Sequence, residues 1–375
     1  MENLRDAEKN IKHTYIHIPF CKKICSYCDF CKVYYNEELV DRYLNSLKEE
    51  INSIYNGEYQ ETIYIGGGTP SSLNIKEINK LFDIIDKFYK DENTEITFEC
   101  NFDSITKSKL DLLKQRGVNR ISFGLETTNQ EICKKINRTL DLNSVKKIID
   151  YSKEIGLNNI NIDLMYGFDN TNLENLKQDL DFLLGLDVVH ISTYSLEIHE
   201  NTSFYIKNEK RIDEELDREM YDYIHDYLEK NGYSHYEISN FSKKGHESKH
   251  NNCYWKNEHY YGFGVGASSY IKNKRITNSK SITSYLNNDI KKEIEELTKK
   301  DEMVYELILG LRLKEGIDID DFYKRYNVSI YDIFETEKLI NKKLITIENN
   351  RIKIPFNNWY TINSILVEFL EVNYE

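Results

Sequence analysis

The feature that most constrains this chain is a repeated alternation of short apolar runs with longer stretches of helical period. Six strand candidates follow one another: TYIHI (14–18), TIYIG (62–66), EITFEC (95–100), RISFGL (120–125), INIDLMYG (160–167) and HISTYSLE (190–197). Each is rich in β-branched or aromatic residues and is bounded by Gly, Asn or charge. After the second, Ile75, Ile78, Phe82, Ile85 and Tyr89 recur at helical spacing behind a capping residue at Asn74. The runs 37–55, 104–115, 143–155, 172–184 and 212–230 behave alike. Six strand-then-helix units in series imply an α/β fold, a parallel sheet covered by helices. Periodicity leaves open whether that sheet is an open doubly wound sheet or an incomplete barrel.

The rhythm changes near residue 236. YEISNF reads as a strand, and an aromatic stretch with Gly262, Gly264 and Gly266 follows. Beyond Lys300 the pattern is helical again. ITIENNRIKI (345–354) then reads as a hairpin turning at Asn349–Asn350, followed by an amphipathic helix at 359–371. Helices ahead of a hairpin resemble a small winged-helix-like module. The expected organisation is thus 1–235, a connecting segment 236–300, and a C-terminal module 301–375.

Composition narrows the function classes. With 375 residues and 40% apolar content the chain can bury a large core. No uncharged apolar run reaches the ~20 residues of a membrane span, and no leader pattern opens the sequence. A cytoplasmic protein is expected. A net charge of −13 argues against broad phosphate-backbone binding, so nucleic acid is an unfavoured partner.

Of seven cysteines, four fall within HIPFCKKICSYCDFC: Cys21, Cys25, Cys28 and Cys31. An odd count without a leader speaks against a disulfide framework. Zinc sites usually present two separated Cys/His pairs, which this segment lacks. Three thiolates in one loop after a strand suit an iron–sulfur cluster. Cys21, Cys25 and Cys28 would ligate three irons of a [4Fe–4S] cube and leave the fourth open. Cys31 is read as a bystander rather than a fourth ligand. Cys100, Cys133 and Cys253 are isolated and read as small core residues.

The C-x3-C-x2-C loop resembles that of the radical S-adenosylmethionine (SAM) superfamily. YIHIPFC, GGGTPSSL, GVNRISFG, NIDLMYG, YEISNF and HNNCYW, in that order, resemble the oxygen-independent coproporphyrinogen III oxidase family and especially its haem-chaperone branch. The resemblance implies a partial (β/α)6 TIM-like barrel with a helical, winged-helix-like C-terminal module. It also implies that SAM chelates the open iron and that one electron cleaves it to a 5′-deoxyadenosyl radical.

Independently, polar residues collect where barrel chemistry belongs, at the C-terminal ends of the strands. The cysteines follow strand one and Gly66-Gly67-Gly68-Thr69-Pro70 follows strand two. Glu99 ends strand three, Glu126 follows strand four, and Asp163 and Ser195 lie on strands five and six. The resemblance assigns Tyr15, Gly67, Gly68, Thr69, Glu99, Glu126, Arg138 and Asp163 to SAM, and offers His250 of the HNxxYW segment as a haem contact. The chain departs from the family pattern at Glu126, where Gln is usual, at Leu140 in place of His, at FDNTN (168–172), and at Val265 and Ser268.

Two functions remain at this stage. One is a haem-binding scaffold that delivers haem to acceptor haemoproteins; the other is decarboxylation of coproporphyrinogen propionates. The residue two after Cys28 is Phe30 rather than the oxidases' fourth Cys, and only twenty residues precede Cys21, which favours the chaperone reading. A radical SAM enzyme acting on RNA fits the acidic composition less well. Reduction of the cluster would call for an electron donor such as flavodoxin or ferredoxin.

Overall fold

The computed structural model describes residues 11–287, 289, 291–334 and 336–369. Six parallel strands form its centre: β1 (His13–Ile18), β2 (Thr62–Gly67), β3 (Glu95–Asn101), β4 (Arg120–Glu126), β5 (Asn159–Tyr166) and β6 (His190–Ser195). Later strands extend this sheet: β7 (Ser234–Glu237), β8 (Asn240–Ser242), β9 (Tyr260–Phe263), β10 (Ser268–Ile271), β11 (Lys274–Asn278) and β12 (Lys292–Glu296). The order is β12-β11-β10-β9-β1-β2-β3-β4-β5-β6-β8-β7, with β9 parallel to β1. β12 and β7 stand at opposite edges, so the sheet is a partial barrel.

Side chains of the central strands alternate sharply. Ile16 and Ile18, Ile63 and Ile65, Ile121 and Phe123, and Ile160 and Ile162 point outward and are fully buried under helices. The intervening positions are polar, as in Glu99 and Asn101, or Asn161 and Asp163. A parallel sheet usually reads as continuous hydrophobic runs because both faces are dry. Here a period-two pattern places an apolar face outward and a polar face inward, which makes the interior a chamber rather than a packed core.

The covering helices are α1 (Glu37–Ile54), α2 (Ile75–Ile85), α3 (Lys107–Gln115), α4 (Leu142–Glu154), α5 (Leu173–Gly185) and α6 (Glu214–Lys230). Each starts behind a side-chain cap, in turn Asn36, Asn74, Thr106, Asp141, Asn172 and Asp213. On α2 the expected stripe is trimmed at both ends. Ile78, Phe82 and Ile85 are buried, whereas Ile75 and Tyr89 are exposed, the latter beyond the helix end.

The stretch 236–300, expected to be a connection, instead supplies strands to both edges of the main sheet. The C-terminal residues form a separate core around Met303, Leu307, Phe322, Ile352 and Trp359, which also takes in Tyr221 of α6. Within it β13 (Ile317–Asp318) pairs with β15 (Arg351–Lys353), and β15 pairs with β14 (Thr346–Glu348). Asn349 and Asn350 have φ of 50° and 62°, as the type I′ turn of a two-residue hairpin requires. The expected last helix runs over Ile362–Val367; its expected residues 370–371 lie outside the described residues.

Candidate cofactor site

The cysteine loop is held at both ends. The backbone N–H of Val33 donates to the Pro19 carbonyl at 2.8 Å, and that of Tyr35 to the Cys21 carbonyl at 2.9 Å. A second set of bonds fixes its middle: Ser26 N–H to the Ile136 carbonyl at 3.1 Å, and Asn137 Nδ2 to the Ile24 carbonyl at 2.9 Å. Tyr27 packs on a small apolar cluster of Ile132, Ile136, Met165, Phe168, Leu196 and Phe204. The loop is therefore braced from three strands away, and its thiols need not organise themselves.

Cys21, Cys25 and Cys28 line one cavity of about 900 Å³ at the C-terminal ends of the strands. All three thiols are free. Burial pushes the Cys21 thiol up to about 11, and raises Cys25 and Cys28 too. They are neutral thiols unless a cation lowers them, and metal coordination is the chemistry that does so. Cys31 does not line the cavity; its Sγ lies 3.6 Å from the Lys280 carbonyl.

Gly67, Gly68 and Thr69 line the same cavity from the end of β2. Gly67 has φ of 116°, and a Cβ there would stand 2.5 Å from the His17 ring. A Cβ on Gly68 would meet the Pro19 carbonyl carbon at 2.7 Å. The glycines thus let this turn lie directly on the segment that leads into the cysteine loop. Thr69 Oγ1 lies 3.4 Å from Cys21 Sγ and accepts from Asn101 Nδ2 at 3.1 Å.

Three acids complete the lining. Glu99 accepts from the Tyr64 hydroxyl at 2.7 Å and the Gly67 N–H at 3.0 Å, and burial raises its carboxyl to about 7. Asp163 accepts from Asn161 Nδ2 at 2.8 Å and Ser122 Oγ at 3.2 Å, and burial raises it as well. Glu126 sits at a bulge with φ of 67°, and its carboxylate meets Arg138 at 2.5 Å. A bulge next to a site re-aims a side chain, and here it turns Glu126 to the guanidinium. Arg138 Nε is buried without a partner.

Two expected residues stand elsewhere. Tyr15 is not part of the cavity wall; its hydroxyl meets His17 Nδ1 at 2.9 Å, and its ring lies 6.1 Å from Tyr64. His250 also lies off the cavity, fully buried. Its Nδ1 is 2.7 Å from Thr62 Oγ1 and its Nε2 is 2.8 Å from the Tyr254 hydroxyl. Both ring nitrogens are thus engaged by hydroxyls within the fold.

The donor set fits a thiolate-held cluster with a small ligand beside it. Three thiols line one cavity, a side-chain-free turn lies alongside, and buried and half-buried acids offer sites for ammonium and hydroxyl groups. Arg138 keeps an unused N–H for a carboxylate.

Residues 15–183 match the family model of the radical SAM superfamily, and 297–355 that of the HemN C-terminal domain. The chain is 37% identical to the haem chaperone HemW of Bacillus subtilis over 96% of its own length and 99% of that protein. The chain belongs to the HemW family. The HemW of Lactococcus lactis is also 37% identical, with 95% and 96% covered. In fold, the chain is similar to coproporphyrinogen III oxidase (HemN) from Escherichia coli, with a TM-score of 0.84 at 21% identity, covering 98% of this chain and 93% of that one. HemW membership accounts for the radical SAM core and the C-terminal module together. Among the described residues no helix is long and apolar enough to cross a membrane.

Several cavity residues escaped the sequence reading. Arg120, Arg211, Asp217, Tyr221, Arg312 and Tyr360 all line it. The only signal was a charged residue opening the apolar run RISFGL; the others come from α6, the loop before it and the C-terminal module, which no local pattern places at the strand ends.

Proposed function

We propose that this chain binds haem and delivers it to acceptor haemoproteins, with a [4Fe–4S] cluster on Cys21, Cys25 and Cys28 and SAM beside it. The observation that carries this reading is the convergence of three free thiols, a glycine turn and three acids on one cavity, in a member of the HemW family. When bound, such a cluster supplies one electron to the sulfonium of SAM, drawn from a flavodoxin- or ferredoxin-type donor. Gly67, Gly68 and Thr69 would bound the methionine end. Arg138 would take the SAM carboxylate, and Glu99, Glu126 and Asp163 its ammonium and ribose hydroxyls. Tyr15 would act from behind, holding His17 under the glycine turn. His250 of the HNxxYW segment, which bonds Thr62 and Tyr254, would be the haem contact. The setting for this activity is the cytoplasm.

The test is a paired assay on anaerobically reconstituted protein. Haem binding followed by transfer to an apo-haem acceptor is the expected result. SAM-dependent conversion of coproporphyrinogen to protoporphyrinogen, without haem transfer, would replace this function with the oxidase one.

A further inference from the structure

Four arginines line the cavity, and they fall into two classes. Arg138 is neutralised by Glu126 at 2.5 Å, and Arg211 by Asp217 at 2.9 Å. Arg120 and Arg312 touch no carboxylate. Arg120 is 2% exposed, its side chain makes no hydrogen bond or ion pair among the described residues, and its buried Nε has no partner. Arg312 donates to Asn363 Oδ1 at 2.7 Å and lies over the Trp255 ring.

None of the acids nearest these two groups bonds to them, although Glu237 keeps one oxygen without a partner. Glu99 and Asp163 act on Arg120 only through space, their oxygens being held by Tyr64, Gly67, Asn161 and Ser122. Glu237 acts on Arg312 in the same way, and one of its oxygens accepts from the Ser239 N–H at 3.3 Å. His190, buried neutral by its surroundings, also faces Arg120. A guanidinium enclosed without a counter-ion is costly unless an anion arrives. The same cavity is lined by the apolar and aromatic side chains of Tyr221, Ile238, Trp359 and Ile362. About 900 Å³ lies at the upper end of the range for small-molecule sites.

We propose that Arg120 and Arg312 receive two carboxylate groups of the cargo, the paired propionates of a haem-type tetrapyrrole whose flat face lies on the aromatic wall. This rests on the haem-binding reading above and adds the anchoring groups to it. Arg120 anchors from the barrel strands and Arg312 from the C-terminal module, so the cargo would bridge the two cores.

The decisive comparison uses the wild-type holoprotein and two probes, haem and its propionate dimethyl ester, titrated by absorbance. The ester is expected to bind at least about tenfold more weakly, the loss of one charge-assisted bond or more. Arg120→Gln and Arg312→Gln should each weaken haem and reduce discrimination against the ester, while Arg120→Lys restores part of it. Equal binding of haem and ester by the wild type overturns the proposal and leaves the haem reading intact. Binding of neither probe removes both. If Arg120→Gln weakens SAM as much as haem while full ester discrimination persists, the guanidinium belongs to the SAM carboxylate and the proposal fails. The ester comparison needs no substitution, so a poorly folding variant does not decide the outcome.

Discussion

Glu126 reaches Arg138 at 2.5 Å from a backbone position whose φ of 67° few non-glycine residues adopt. Strain of this kind persists where surrounding structure over-determines it, commonly at functional sites. Here the bulge on β4, the pair with Arg138, and the neighbouring Tyr27 all fix the same carboxylate. Replacing Glu126 with Ala should leave a buried guanidinium uncompensated and cost about 3 kcal/mol or more. Glu126→Gln keeps a carbonyl acceptor and should cost less, about 1–2 kcal/mol. Denaturant unfolding of the two variants checks the ranking, and equal losses would show that the carbonyl acceptor kept by Gln contributes nothing.

The ligand assignment makes a contrast between two neighbouring thiols. Cys25→Ala should lose most of the iron and acid-labile sulfide taken up on anaerobic reconstitution. Cys31→Ala should keep them, because Cys31 lies outside the cavity. Iron and sulfide content per chain decides the matter; matching losses in both variants would place Cys31 among the ligands.

Glu99 carries a pH dependence whose sign follows from its burial. Free in the unfolded chain it titrates near 4.5, and in the fold near 7. Between these values the folded protein holds a proton that the unfolded chain has released. The Glu99 contribution to stability therefore falls as pH rises through that window and is level above it. Relative to Glu99→Gln, the ligand-free wild type should lose up to about 3 kcal/mol between pH 4.5 and 7. Unfolding free energies of both proteins at pH 5, 6, 7 and 8 measure this, and parallel profiles would contradict it.

The glycine turn predicts a difference between two positive-φ sites. Gly67→Ala meets both the left-handed backbone and the His17 ring, and should cost more than about 2 kcal/mol. Gly57 has φ of 93° with nothing within 4 Å of an added Cβ, so Gly57→Ala should cost only about 1 kcal/mol. Thermal unfolding separates the two. In Gly67→Ala the displaced turn should also weaken SAM binding, measured by equilibrium dialysis.

What the linear chain determined is the part governed by local periodicity and local spacing. Six strand-then-helix units, their caps, the Asn349–Asn350 hairpin and the crowded thiols are all consequences of near neighbours, so residues such as Asn74, Ile78 and Cys25 could be placed without coordinates. The tertiary structure decided what depends on contacts distant in sequence. β9 joins β1 as a seventh parallel strand although 247 positions separate Gly262 and Phe263 from their partners Tyr15 and Ile16. His250, beside aromatics in sequence, bonds Thr62, 188 positions away, as well as Tyr254. Arg120 and Arg312, 192 positions apart, face one cavity with no carboxylate against either. Hydrogen bonding and charge compensation are satisfied by whichever groups the fold brings together, and no one-dimensional pattern records which those are.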